Sequence, residues 1–599
     1  MSMKLTNNHN IRETTRFFLA FVASGVMLSL AQAPISIWPL AWVAYVPFIL
    51  ACSAKSFTAE NARLNEASSR GRTETAEKNN KFKKKVPDTF FLCLVAYIVG
   101  AFYWLGNIYW MSFVTVSGWI AFCLYTALLW PILAITLRWC RIKRIPLIIA
   151  VPVLVVGTEQ MQGLFLGGFY WHHLAHSQYA NTTLIQIADT FGAAGVSFLV
   201  AMVNGVIAEM FLVRSSPRPR SGQALFIVCR SLLLFAVLFG AVGYGKWRIE
   251  QTDKFITAGP IVAAVQTNIP QSVKQSFAAE KQIFDELLTN SKQCVAGGAK
   301  LIVWPETMVQ AILDSQVLRL IDKSHSYKLF DKAIRQHAGQ GAFVLVGAYG
   351  GSPRIENNFD IRIAQKYNSA FLYTPDGNQA PQKYNKIHLV PFGEILPFEN
   401  IALIHNLLIK MSPYDFDYTI DAGTEFTVFP MQPGPYKFSV MICYEDAVPV
   451  MARRFALDKD GRKHIDWLVN ISNDGWFVRF EDAKVITSSE LAQHTAICAF
   501  RAVENRLAVL RSVNTGISCL IDTLGRVKDG YIAGNLPKRA FDRQGVAGWF
   551  ADTIPIDSRI TFFSKHGQWL DFSCQLCVGA LIIAQVVERL INKKATKLK

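Results

Sequence analysis

Charge is what this sequence has little of. Of its 599 residues, 18% are Asp, Glu, Lys or Arg, against about a quarter in ordinary soluble domains. The shortage falls on one sign: 44 acidic residues face 61 basic ones, a formal net charge of +17. With 51% hydrophobic residues and a mean hydropathy of +0.23, the composition argues against a soluble enzyme and for a membrane protein. Zinc spacing is also missing, because Cys574 and Cys577 form a CxxC pair beside an apolar run with no second pair to complete it. Most of the eleven cysteines fall in hydrophobic segments, so no disulfide framework, metal or cofactor is expected. No basic patch interleaved with aromatics is present, so nucleic acid is not the expected partner. No small-residue cleavage site follows the first apolar run, which is expected to stay as an anchor. No solenoid-type repeat occurs.

What the sequence does have is long apolar runs. Segments near 17–33, 36–54, 89–110, 113–137, 145–165, 191–213, 224–245 and 570–590 read as spanning helices, since about 20 apolar residues cross a bilayer. The basic residues gather between them. The stretch 55–87 carries Arg63, Arg70, Arg72, Lys78, Lys81 and Lys83 to Lys85; Arg138 to Arg144 and Arg214 to Arg220 are basic; the tail has Lys593, Lys594, Lys597 and Lys599. These alternate loops belong on one side, the cytoplasm, by the positive-inside rule. The segment from about 250 to 565 then lies outside the cytoplasm.

That segment has a different pattern. Buried-type strands at 260–266, 300–304, 342–347, 366–373, 437–443, 466–471, 507–513 and 516–521 alternate with helices at 276–296 and 325–338. Strand and helix in alternation read as an α/β layered domain. The expected organisation is a transmembrane region of about seven helices over 1–250 with a basic insert at 55–87, an α/β domain over 255–560, and a last helix with a basic tail over 566–599.

Reactive side chains follow several of the strands, at the ends where open α/β sheets bind ligands. Glu306 ends Val303-Trp304-Pro305-Glu306; Lys386 and Glu394 lie in the block from Lys383 to Glu394; Cys443 lies in Met441-Ile442-Cys443-Tyr444-Glu445-Asp446. A thiol, a carboxylate and an ammonium suffice for acyl transfer: the carboxylate takes the thiol proton, and the ammonium favours thiolate and oxyanion. Any one of them alone has a bland reading, a buried structural thiol, a surface lysine or a paired acid. Residues 395–418 place Ile401, Ile404, Leu407, Leu408 and Met411 at helical spacing, either an arm toward lipid or a helix packed on its own domain. His172, His173 and His176 read as an interfacial cluster more readily than as a metal site, Glu159 lies toward the outer end of its span, and His388 sits among strand-like neighbours.

The three reactive segments resemble the Glu-Lys-Cys triad of the nitrilase superfamily. Asn268-Ile269-Pro270-Gln271, Lys386 to Glu394 with Pro397, Cys443-Tyr444-Glu445, Asn473 to Phe477, Arg501 to Asn505, Asn514-Thr515-Gly516 and Gly192 to Gly205 are together similar to the apolipoprotein N-acyltransferase family. The resemblance covers nearly the whole chain and departs in two places: Lys274-Gln275 where the family often has Trp, and Asn505 before Arg506 where it often has Gly. It implies a multi-span helical membrane domain plus an extracytoplasmic nitrilase-like αββα sandwich, in the bacterial inner membrane. It implies that Cys443 carries a thioester, with Glu306 as base, Lys386 on the tetrahedral intermediates, and Glu394, Tyr444, Glu445 and Pro397 in support. The acyl donor would be a membrane phospholipid and the acceptor the α-amine of a diacylglyceryl-cysteine on an apolipoprotein. Two other readings remain: a membrane-anchored amidase that passes the acyl group to water, and a transporter or scaffold with a degenerate domain.

Overall fold

In the computed structural model, residues 2–53, 88–164, 167–214, 223–269, 277–355, 361–395, 401, 419–481 and 484–597 are described. The insert at 55–87, Pro397, the Lys274-Gln275 departure and most of the amphipathic 395–418 stretch lie outside them.

Among the described residues six helices are long and apolar enough to cross a membrane: Thr89–Asn107, Val116–Ile142, Leu147–Leu164, Ala188–Arg214, Leu225–Glu250 and Trp569–Ala595. Of the eight expected spans these match the last six; at the start of the chain the helix Ser2–Ala31 carries the apolar stretch Phe17–Ala31, and a second apolar stretch, Trp38–Ser53, is shorter than a span. In the second stretch proline divides the helix. Pro39 sits in the first turn of a 3-10 helix, Trp38–Trp42, and the α-helix that follows, Val46–Ser53, has eight residues. This short helix is packed inside the bundle, with Phe48 edge-on to Phe21 at 4.7 Å and to Trp130 at 5.8 Å.

The rest of the chain forms two stacked sheets. One has the strand order Gly548–Asp557, Ile256–Gln266, Leu301–Val303, Phe343–Ile355, Ile361–Tyr373 and Gln379–Asn385, with Val309–Ile312 paired to Phe343–Ile355. The other runs Val527–Lys528, Cys519–Ile521, Ala508–Val513, Trp467–Ser472, Lys437–Ile442 and Phe429–Pro430. Their facing sides share one apolar core that includes Val262, Val303, Leu345, Val440, Val469 and Leu510. Helices Phe277–Ala296 and Ser326–Ala338 cover the first sheet through Phe284, Leu287, Phe330 and Ile334. Helices Pro449–Ala456 and Ser489–Asn505 cover the second through Phe455, Ala492, Ala496 and Ala499. The result is an αββα sandwich. Parallel strands buried on both faces need continuous apolar runs, and this is the pattern that marked them in the sequence.

Helix Ser489–Asn505 is buried along its length because membrane helices lie on its other side. The joint between the two parts is polar. Asp189, at the start of Ala188–Arg214, receives Arg506 at 2.7 Å, Arg248 at 2.6 Å and the Tyr244 hydroxyl at 2.7 Å. Nearby, the Ala193 N–H donates to Glu504 at 2.9 Å. The departure at Asn505 finds a plain explanation. The left-handed residue that ends the helix is Arg506, at φ 49°, so position 505 does not need glycine. Asn505 instead accepts from Ser564 Oγ at 3.0 Å.

Candidate active site

Each reactive side chain is held where a strand stops. Glu306 follows Leu301–Val303, and Gly347 on the adjacent strand makes room for it: a Cβ there would lie 2.3 Å from the Pro305 carbonyl. Lys386 follows Gln379–Asn385, its N–H donating to the Asn368 carbonyl at 2.8 Å. Cys443 follows Lys437–Ile442 and opens a 3-10 turn, Cys443–Ala447. Its φ of 52° is rarely adopted by a side-chain-bearing residue. Strain of this kind persists only when the surroundings hold it. Here Asn470 Nδ2 holds the Cys443 carbonyl at 3.1 Å, and the Ile442 N–H donates to Glu445 at 2.7 Å.

The structure brings Glu306, Lys386, Glu394 and Cys443 together. Lys386 Nζ lies 2.8 Å from both Glu394 oxygens and 3.7 Å from Glu306 Oε1. Asn368 Nδ2 bridges the two acids, donating to Glu306 at 2.6 Å and to Glu394 at 3.3 Å. The second Glu306 oxygen accepts the Asn473 N–H at 2.7 Å. Glu306 and Lys386 are buried, while Cys443 is half-buried. Burial raises the Glu306 carboxyl above its ordinary range; Lys386 pulls it back and Glu394 pushes it further up. Burial alone would lower the Lys386 ammonium, but Glu394, Cys443 and Glu306 together hold it above the usual lysine range. Burial and Glu306 raise the Cys443 thiol against the opposing effect of Lys386. A thiol that is pushed up therefore faces a carboxyl that is also pushed up and an ammonium that is held. Such a set generates thiolate on demand, by proton transfer to the carboxylate, instead of storing it.

The supporting residues divide. Glu445 is a bolt: buried, it accepts from the N–H groups of Ile387 (2.8 Å), His388 (2.9 Å) and Ile442 and from the Tyr384 hydroxyl (2.8 Å), so it locks the lysine segment to the cysteine segment. Tyr444 faces the membrane helices. Its hydroxyl accepts the Tyr170 N–H at 2.8 Å, and its ring stacks on Trp171 at 6.3 Å. Around it, Trp104, Trp110, Phe122, Phe169 and Phe477 join one apolar cluster against which Cys443 packs. Phe169 stacks on Trp171 at 5.8 Å, and Trp104 meets Phe169 edge-on at 6.0 Å. His388 enters through its backbone N–H, His173 and His176 stack on each other at 5.1 Å, and His172 Nδ1 meets Tyr103 at 3.2 Å. Glu159 accepts the Leu174 N–H at 2.5 Å and so anchors the loop that carries Trp171.

Sequence reasoning missed Asn368. It carries no clear signal, being one of several polar residues in Gln365-Lys366-Tyr367-Asn368-Ser369 of its strand. It also missed how the remaining motif blocks connect. Asn514 accepts from the Ile269 N–H at 2.8 Å and donates to Asn473 at 2.8 Å, and Asn473 in turn holds Glu306. Segments more than 200 residues apart thus end on one carboxylate.

Residues 83–206 match the family model of the apolipoprotein N-acyltransferase N-terminal domain, and residues 261–535 match that of carbon-nitrogen hydrolases. An apolipoprotein N-acyltransferase of Geobacter metallireducens is 29% identical over 96% of both chains. One from Chlorobaculum tepidum is 24% identical over 96% of this chain and 97% of its own, and one from Bdellovibrio bacteriovorus is 27% identical over 69% of each.

Proposed function

Since the chain belongs to the apolipoprotein N-acyltransferase family, we propose that it moves an acyl chain from a membrane phospholipid, through a thioester on Cys443, to the N-terminal α-amine of a diacylglyceryl-cysteine on an apolipoprotein. One observation carries this reading. The half-buried thiol has a fixed carboxylate and ammonium on one side and, on the other, a wall of aromatic rings shared with the membrane helices. An acyl chain from lipid fits such a wall, which also keeps water from a thioester. This favours transfer over the amidase alternative.

The first half-reaction runs as follows. Cys443 Sγ attacks the ester carbonyl of the phospholipid as its proton passes to Glu306. Lys386 stabilises the oxyanion. Collapse breaks the ester C–O bond, and the lysophospholipid alkoxide leaves with the proton from Glu306. In the second half, the free amine attacks the thioester, Glu306 takes the amine proton, and Sγ departs to regain it. Glu394 keeps Lys386 aimed, and Glu445 keeps the two reactive segments in register.

The two helices that flank the sandwich support an orientation with the sandwich outside the cytoplasm. Leu225–Glu250 begins beside the basic Arg214–Arg220 stretch, and Trp569–Ala595 ends in the lysine-rich tail. With both basic ends in the cytoplasm, the sandwich lies on the other side of a bacterial inner membrane.

The test is intact mass of the purified protein after incubation with phospholipid, beside Cys443→Ala. A hydroxylamine-labile adduct of one acyl chain, absent from the variant, is expected. A folded wild-type protein that gains no adduct would sink the proposal.

A further inference from the structure

Behind the thiol lies a second set of buried charges that the proposed reaction does not use. Asp446, on the turn that Cys443 opens, is 2.6 Å from His494 Nε2, and its other oxygen pairs with Arg511. On the far side of the imidazole, Nδ1 is 3.1 Å from Glu490 and 3.7 Å from Asp474. Arg511 also lies 3.8 Å from Asp474. Asp474 directly follows Asn473, whose N–H holds Glu306, and it accepts from Ser472 Oγ at 2.6 Å. The Cys498 thiol beside Asp446 and the Trp171 ring, 5.5 Å from the imidazole, complete the surroundings. All five charged groups are buried.

His494 therefore stands between the turn that bears the nucleophile and the turn that holds the base. We propose that His494 is a positioning residue: as an imidazolium it ties Asp446 to Asp474 and Glu490, fixes Cys443 relative to Glu306, and offsets the field of Asp474 at the thiol. A neutral imidazole donates on one side only and would turn a lone pair toward the carboxylates on the other. Burial and Asp474 push the Glu490 carboxyl up to about 7 while His494 and Arg511 pull it back, and with a neutral imidazole Asp446 and Asp474 would face Arg511 alone, leaving a negative charge uncompensated in a low dielectric. Burial by itself would lower the imidazole, but Asp446 outweighs it and holds the ring well above the usual histidine range. The link to the reaction is electrostatic as well as mechanical, because Asp474 is among the groups that push the Cys443 thiol up. Asp474, Glu490 and His494 are also near enough to share one metal ion. That occupancy would need the proton off Nδ1, so the two states exclude each other.

The inference rests on Cys443 and Glu306 acting as thiol and base. It is tested on the full chain in detergent by the pH dependence of iodoacetamide alkylation, read at the Cys443 peptide because Cys229 and Cys577 are also exposed. His494→Gln keeps a donor for Asp446 but carries no charge. The acid limb of Cys443 alkylation should move to higher pH by about one unit, with the rate at neutral pH falling ~10-fold, since loss of a cation raises a nearby acid. Glu490→Gln removes from the same cluster a carboxyl that burial pushes up to about 7, so above that pH a negative charge is lost and the limb should move the opposite way, which keeps the idea open to refutation if the first variant folds poorly. Lower reactivity with an unmoved limb in both variants would mean a merely structural role and overturn the proposal. So would stoichiometric zinc in the purified wild-type protein together with loss of Cys443 reactivity on chelation. A limb that depends on His494 in a protein that forms no thioester with phospholipid would refute the acyl donor and still support the role of His494.

Discussion

The two sides of Cys443 are built on opposite principles. One is a set of charges held by short bonds: Lys386 against Glu394 and Glu306, with Asn368 and the Asn473 N–H fixing the acids. The other is apolar and aromatic, a patchwork of Trp104, Phe169, Trp171 and Tyr444 drawn from both the membrane helices and the sandwich. Fixed charges cannot adapt, which suits a transition state of one geometry. Ring faces adapt readily, which suits two bulky lipid substrates entering in turn. The difference teaches where selectivity resides. Substitutions on the charged side should change how fast the thioester forms, and substitutions on the aromatic side should change how much donor is needed to form it.

The largest effect is expected from Lys386→Met. It removes the oxyanion partner and leaves Glu306 and Glu394 facing each other without a cation. Acyl-enzyme formation in a rapid-quench mass assay should fall about 10³-fold. Thermal unfolding should show a loss of roughly 3–5 kcal/mol, the usual result of breaking a buried ion pair. An intact rate would show that the ammonium serves packing alone and would end the contrast between the two sides.

Next in size is a displacement of the pH profile. Glu306 must be ionised to accept the thiol proton, and its carboxyl is raised by burial and by Glu394. Acylation should therefore fall as pH drops through that raised value, at a pH above the ordinary carboxylate range. Glu394→Gln removes a negative neighbour, so the acid limb should move to lower pH. The maximal rate should fall ~10-fold, as Lys386 loses a charged partner. A limb that moves upward instead would assign the titration to another group.

Part of this site was legible in the sequence because Glu306 and Cys443 each come after an apolar strand run that can be read by itself. Lys386, after the mostly polar edge strand Gln379–Asn385, has a different signature, the motif block from Lys383 to Glu394. His494 has none. It lies in the middle of Ser489–Asn505, a helix buried on both faces because the sandwich and the membrane bundle flank it, so no amphipathic stripe separates inside from outside. The strand Gly548–Asp557 was also hidden. It contains Pro555, tolerated because this strand is the edge of its sheet, and its partner Ile256–Gln266 is far away in the chain. The second apolar run shows the converse. Apolar content counts toward a span, while Pro39 and Pro47 limit the helices that content can form.

The smallest effect is the one that best separates the two sides. Tyr444 directly follows Cys443, yet its hydroxyl serves the membrane side, accepting the Tyr170 N–H at 2.8 Å and lying 3.3 Å from the Gly168 carbonyl. Tyr444→Phe keeps the ring on Trp171 and loses the hydroxyl. The change should cost about 1 kcal/mol, the worth of an ordinary hydrogen bond. Because the loosened element is the loop 167–173 and not Glu306 or Lys386, that cost should appear as a several-fold higher phospholipid concentration at half-maximal acylation. The acid limb and the maximal rate should stay as in the wild type. A shifted limb would show that the loop also sets the electrostatics of the thiol, and the site would then be one coupled unit instead of a rigid charged face opposite an adaptable aromatic one.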